Sequence, residues 1–312
     1  STQTRDECQR EGTTLWSNPI QTQEELRMEI RSIGIIGAGT MGNGIAQVAA
    51  SSGFDVVLLD VSDTALEKGL AALNNSLDRL IKKEAITNEQ KTQTLARIRT
   101  TTNYADLAMV DLVIEAATEN QAIKEKILAQ VDQVVSPQAI IASNTSSISI
   151  THLGSLNSRP ERFIGIHFFN PPPLMALIEV IMGKQTSPET LKAVLVMATR
   201  MGKEPITVQS SPGFVVNRIL LPMINEAFFV LHEGIASPED IDTGMKLGCN
   251  HPIGPLALAD LIGLDTCLAI MEVYQSEFKD DKYRPSPLLV DLVAKGHLGR
   301  KTGRGVYSYD KK

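Results

Sequence analysis

Two residues in this chain have the types and the spacing to move a proton. His167 ends an apolar run at residues 163–167 and Glu179 lies in a second run at residues 176–181, with Phe168-Phe169-Asn170-Pro171-Pro172-Pro173 following the first. The prolines exclude a helix or a central strand there. Too little chain remains for a helical crossover, so the two runs are read as antiparallel strands. Both residues lie six positions from Pro173. A turn centred on that proline sets them opposite each other, with Cβ atoms about 5 Å apart. A carboxylate in that place can hold one imidazole nitrogen, leave the other free as a base and stabilise the imidazolium that forms. A histidine satisfied by a carboxylate for structure alone fits the same pattern equally well.

Other polar groups are weaker signals. Ser143-Asn144-Thr145-Ser146-Ser147 follows an apolar run at residues 139–142 and would face the crevice at its C-terminal end. Taken alone, such a stretch reads as a turn and helix cap. Asn217 is polar inside the apolar segment PGFVVNR. It is either a surface group or one that points across a domain junction.

The stretch that must organise these residues is 33–60, IGIIGAGTMGNGIAQVAASSGFDVVLLD. An apolar strand runs into Gly37-Ala38-Gly39-Thr40-Met41-Gly42, a G-x-G-x-x-G that opens a helix ended near Gly53, and a second strand closes on Asp60. Gly37 serves the tight turn, Gly39 the approach of a pyrophosphate to the backbone, and Gly42 the packing of helix on sheet. The anion sits on free N–H groups at the positive end of the helix. Asp60, 21 residues beyond Gly39, can accept hydrogen bonds from both ribose hydroxyls, and Val61-Ser62 offers no Arg for a 2′-phosphate. NAD is therefore the expected cofactor.

At 312 residues, two domains are expected. A net charge of −6 argues against general nucleic-acid binding. Cys8, Cys249 and Cys267 are odd in number and widely spaced, indicating neither a disulfide framework nor a metal site and fitting a reducing cytosol. No apolar run is long enough to span a membrane. Residues 1–29 are polar, carry Trp16 and read as an extension outside the fold; Met28 stands just before the first strand, and Asp6, Glu7 and Glu11 count against a transit peptide.

The coarse pattern is α/β, a Rossmann-like doubly wound sheet over residues 30–211 followed by an all-α C-terminal part over 212–312. A helical hairpin interrupts the first part, with a capping box at Thr64-Ala65-Leu66-Glu67 and another at Thr87-Asn88-Glu89-Gln90. Its end carries Arg79, Lys82 and Lys83, a solvated face by default. In the helical part, Phe214, Val215, Ile219, Met223, Ala227, Phe228 and Leu231 are expected to line one long helix, and the surplus of apolar helix surface points to a homodimer, with core packing alone as the alternative.

GIIGAGTMGNGIA, IEAATEN, SNTSS, HFFNPPP with a later LIEVI, and SPGFVVNR, in that order across residues 30–309, resemble the 3-hydroxyacyl-CoA dehydrogenases, specifically the short bacterial 3-hydroxybutyryl-CoA type. The resemblance implies NAD-dependent oxidation of an (S)-3-hydroxyacyl-CoA and the reverse reduction. It makes His167 the general base, Glu179 its partner, and Ser146 and Asn217 the groups on the reacting oxygen. It places Glu119 and Lys124 near the nicotinamide and its ribose, Asn170 in the active site, and Ser76 and Lys83 against coenzyme A. The family's proline loop reads P-x-P where this chain has three consecutive prolines, and the extension has no counterpart. A dehydrogenase of a dicarboxylic acyl-CoA or a sugar acid, or a dinucleotide-binding protein without turnover, would share the glycine loop.

Overall fold

A computed structural model describes residues 29–309. The expected extension, with Trp16 and Cys8, lies outside the described residues save for Glu29. Apolar runs with no polar alternation form strands buried on both faces. The eight strands are β1 (Ser32–Ile36), β2 (Asp55–Leu59), β3 (Ile98–Thr101), β4 (Leu112–Glu115), β5 (Ile140–Ser143), β6 (Phe163–Phe168), β7 (Leu177–Met182) and β8 (Glu204–Gln209). They form one sheet in the order β3-β2-β1-β4-β5-β6-β7-β8. Neighbours are parallel except β6 and β7, which run antiparallel as the proline-rich connection requires.

The order reverses at β1, between β2 and β4, and ligands of such sheets bind outside the strand C-termini at that point. The helix Thr40–Ser51 begins there directly after β1. Gly37 adopts φ +102, and a Cβ on it would come within 2.7 Å of the Ala117 Cα. A Cβ on Gly42 would collide with the Gly37 carbonyl oxygen, so this glycine allows the helix to close on its own turn as well as on the sheet.

The hairpin is the β2–β3 crossover itself, an outcome the sequence reading did not foresee. Its helices are Asp63–Lys82 and Asn88–Ala96. The first starts earlier than the expected box, because the Ser62 hydroxyl accepts from the Ala65 amide and leaves Thr64 inside the helix. The second carries the full Thr87/Gln90 capping box. Leu66, Leu73 and Leu77 bury the hairpin against the cluster that holds Ile45 and Ala38 of the glycine-loop region. The edge strand β3 went unseen because IRTT is short and only half-buried.

Helices Val216–His232, Pro238–Gly248, Pro255–Ile262, Leu264–Phe278 and Pro287–Ala294 pack around their own core. Ser237 and Ser286 stand at the N-caps with proline next, although only Ser237 makes the side-chain bond. The expected apolar stripe of the long helix is corrected at two positions: Val215 and Ile219 are exposed, while Phe214, Ala227 and Phe228 are buried as expected and Leu221 and Ile224 are buried with them. The reason is local. Gly213 and Phe214 take positive φ, so the helical count starts only at Val216. Among the described residues no helix is long and apolar enough to cross a membrane.

Leu73→Ala should lower the unfolding free energy by about 2–5 kcal/mol in urea titration, because the leucine is fully buried beneath the glycine loop. A loss under about 1 kcal/mol would show that the hairpin is not packed as described.

Candidate active site

The antiparallel register places His167 directly across from Glu179. His167 Nδ1 lies 2.7 Å from Glu179 Oε2. Burial pushes the Glu179 carboxyl up, but hydrogen bonds from His167 and from the Val216 and Val215 amides outweigh it and hold the group below the ordinary carboxylate range. An ionised carboxylate only accepts, so Nδ1 carries the proton and Nε2 has a free lone pair. No hydrogen bond to Nε2 forms among the described residues. Phe169 and Phe214 flank the ring, with centroids 4.5 and 5.7 Å from it.

The second oxygen of Glu179 does separate work. Oε1 accepts from the amides of Val215 and Val216, each at 3.0 Å, at the start of the helix Val216–His232. The partial positive charge of a helix N-terminus favours an anion there. One fully buried carboxylate thus joins the sheet to the helical part. It also brings the first turn of that helix, with half-buried Asn217, to the side of the dyad.

Across the crevice, the loop after β5 is gathered by Glu119. Its Oε1 accepts from the Ser146 amide at 2.7 Å and hydroxyl at 2.9 Å, and its Oε2 accepts from the Thr145 hydroxyl at 2.8 Å. Asn144 accepts from the Phe168 amide at 2.9 Å, tying the ends of β5 and β6. Lys124, expected near the nicotinamide ribose, is buried beside Glu119. It is 1% exposed and donates to Glu115 Oε2 at 2.5 Å, with Glu119 Oε2 at 3.9 Å. Its ammonium is enclosed beneath the crevice and supports the two loops from below. Glu115 also accepts from the Ser143 hydroxyl and the Ala117 amide. Sequence reasoning passed over Glu115, although a carboxylate closing the apolar strand LVIE had to find a buried cation or N–H donors.

The glycine loop fits a dinucleotide. Gly39 is the N-cap of Thr40–Ser51 with no side-chain cap, so the helix presents unpaired amides beside Thr40 and Met41. Nothing lies within 4 Å of a Cβ built on Gly39, leaving the space a pyrophosphate needs. Asp60 accepts from the Ala38 amide at 2.8 Å and closes the loop while keeping its carboxylate at the strand end.

Three further expected substrate residues lie on the loops and helices around this cluster. Asn170 is exposed in the β6–β7 loop, Ser76 is half-buried on the first hairpin helix, and Lys83 is exposed at that helix's C-terminal end. None of the three makes a hydrogen bond to the dyad.

Comparison with known proteins finds relatives over both parts of the chain. Residues 32–211 match the family model 3-hydroxyacyl-CoA dehydrogenase, NAD binding domain, and residues 213–309 match 3-hydroxyacyl-CoA dehydrogenase, C-terminal domain. The chain is 54% identical over 280 residues to a 3-hydroxybutyryl-CoA dehydrogenase of Bradyrhizobium diazoefficiens, covering 90% of this chain and 96% of that one. It is 41% identical over 303 residues to the mitochondrial hydroxyacyl-coenzyme A dehydrogenase of Sus scrofa, covering 95% and 96%. The crystal structure of (S)-3-hydroxybutyryl-CoA dehydrogenase from Ralstonia eutropha superposes with a TM-score of 0.90 at 64% identity, covering 91% of this chain and 100% of that one.

The electrostatics of Glu179 predict a pH dependence. The folded carboxyl titrates below its ordinary value of 4.5. As pH falls the unfolded chain therefore takes up the proton first. The stabilisation is complete above the unfolded value and is lost as pH drops through the folded one. Chemical denaturation of Glu179→Gln should show a shallower loss of stability below pH 4.5 than the parent chain. Identical slopes would remove Glu179 as the responsible group.

Proposed function

The chain belongs to the 3-hydroxyacyl-CoA dehydrogenase family, and from that premise we propose that it interconverts an (S)-3-hydroxyacyl-CoA and the 3-oxoacyl-CoA, with 3-hydroxybutyryl-CoA as the short-chain substrate. The observation that carries this reading is His167 held through Nδ1 by Glu179, with Nε2 left as an acceptor. NAD, when bound at the glycine loop, supplies the acceptor for the hydride from C3.

The chain's own groups handle the proton and the oxygen. His167 Nε2 removes the hydroxyl proton of the substrate, and the electron pair of the O–H bond becomes the second C–O bond as the hydride leaves C3. Glu179 stabilises the imidazolium that results. Ser146 and Asn217 hydrogen-bond the reacting oxygen. The Ser146 proton is shared with Glu119 in the free protein, so the hydroxyl turns from that carboxylate toward the substrate. In the reverse direction the imidazolium donates the proton.

The glycine loop and Asp60 hold the dinucleotide, with Glu119, Asn144 and Ser146 beside the nicotinamide. Lys124 acts there through Glu115 and Glu119 rather than by direct contact. Asn170 meets substrate from the β6–β7 loop, and Ser76 and Lys83 meet coenzyme A on the hairpin, where Arg79 and Lys82 add positive charge. Residues 30–211 form the NAD-binding unit and 212–312 a unit that completes the site and pairs two copies through its helices, in a cytosolic enzyme.

Mixing the protein with NADH and acetoacetyl-CoA should consume NADH absorbance, while free acetoacetate should not. His167→Gln should lower kcat by about 10²–10⁴-fold with NADH binding nearly intact. Equal loss of binding and turnover would contradict the base assignment. Lys83→Glu should raise KM for acetoacetyl-CoA and leave KM for NADH unchanged; the opposite pattern would move coenzyme A off the hairpin.

A further inference from the structure

Lys203 is 7% exposed, stands just before β8 and forms no ion pair among the described residues. Its Nζ donates instead to two backbone carbonyls of the β6–β7 loop, Pro172 at 2.6 Å and Met175 at 2.7 Å. A buried ammonium without a carboxylate is costly, and burial draws its pKa down. Such a group is kept where its donors have work to do.

The loop it serves is short of donors. Pro171, Pro172 and Pro173 have no amide N–H. The amides of Leu174 and Met175 both turn back to the Pro171 carbonyl, at 3.0 and 3.1 Å. Both of those amides are spent on Pro171, and the ammonium supplies the bond to the Pro172 carbonyl.

This loop is also where the parts of the site meet. It leaves β6 at Phe168, one residue after His167, and enters β7 at Leu177, two residues before Glu179. It carries Asn170, and buried Pro172 lies against the glycine-loop helix: a Cβ built on Gly44 would come within 2.9 Å of the Pro172 Cδ and Cγ. The position of Pro172 therefore couples the cofactor helix to the strand pair bearing the dyad.

We propose that Lys203 is a positioning residue for hydride transfer: by holding the Pro172 and Met175 carbonyls it sets the β6–β7 loop against Gly44 and so fixes the distance between the cofactor helix and His167. It touches neither substrate nor cofactor. The assignment rests on the dehydrogenase reading above.

Lys203→Met keeps the apolar stem and removes the donors, and Lys203→Arg keeps charge and donors. Gly44→Ala leaves the lysine in place and displaces Pro172 directly. For each, folding is followed by circular dichroism, NADH affinity by fluorescence, and turnover with acetoacetyl-CoA using NADH with and without deuterium at the transferred position. In folded Lys203→Met, kcat should fall roughly 100-fold, the cost of a misplacement on the order of 1 Å. The isotope effect should rise, KM for acetoacetyl-CoA should change little, and Lys203→Arg should recover most of the rate. Gly44→Ala should reproduce the raised isotope effect, which decides the matter if Lys203→Met does not fold. An unchanged isotope effect in both variants, or rate lost only in proportion to folded protein, overturns the proposal. If the parent chain itself fails to oxidise NADH with acetoacetyl-CoA, the functional reading fails instead.

Discussion

A single buried carboxylate carries the constraint on which the site depends. Glu179 accepts from the imidazole of His167 with one oxygen and from two amides of the helical part with the other. Its charge is needed in both places: it selects the imidazole tautomer, and it answers the positive end of the long helix. The sheet and the helical part are thereby joined in one arrangement, in which the first helical turn, carrying Asn217, follows directly on the amides that Glu179 accepts from. Removing this charge would loosen the domain junction and misorient the base together, so the chemistry and the architecture share a determinant.

Recognition of the two ligands is divided differently. The glycine loop and Asp60 lie at the switch in strand order and define where a dinucleotide sits, through backbone amides and open space. They carry no information about what is oxidised. That belongs to the β6–β7 pair, to Ser146 tied to Glu119, and to the helix that Glu179 caps. Beneath the crevice, Lys124 and Glu115 form an enclosed ion pair that supports the loops after β4 and β5. A buried pair of this kind contributes little net stability, but it fixes geometry, since loss of either partner strands the other charge.

Much of this was legible in the residues because the relevant rules are local. Glycine spacing marked the dinucleotide loop, and the distance of His167 and Glu179 from Pro173 determined their pairing, which the strand register bears out. The capping box at Thr87 was read correctly for the same reason. What escaped depends on contacts distant in sequence. β3 is recognisable only beside β2, since its half-buried sequence has no apolar signature. The partner of Lys124, Glu115, was not read as one because the pairing joins a strand end to a helix nine residues on. Lys203 gave no signal at all, because its partners are two carbonyls 31 and 28 residues away. The exposed side of the long helix was misjudged because two positive-φ residues break the helical count just ahead of it.

The central claim is that Glu179 holds His167 with Nδ1 protonated and Nε2 free to take the substrate proton. The most direct measurement is the ¹⁵N spectrum of the histidine-labelled protein, with the His167 signals assigned by their loss in His167→Gln. The account predicts the Nδ1–H tautomer for the neutral ring in the parent chain, with loss of that preference in Glu179→Gln. A neutral His167 carrying its proton on Nε2 in the parent chain would contradict it.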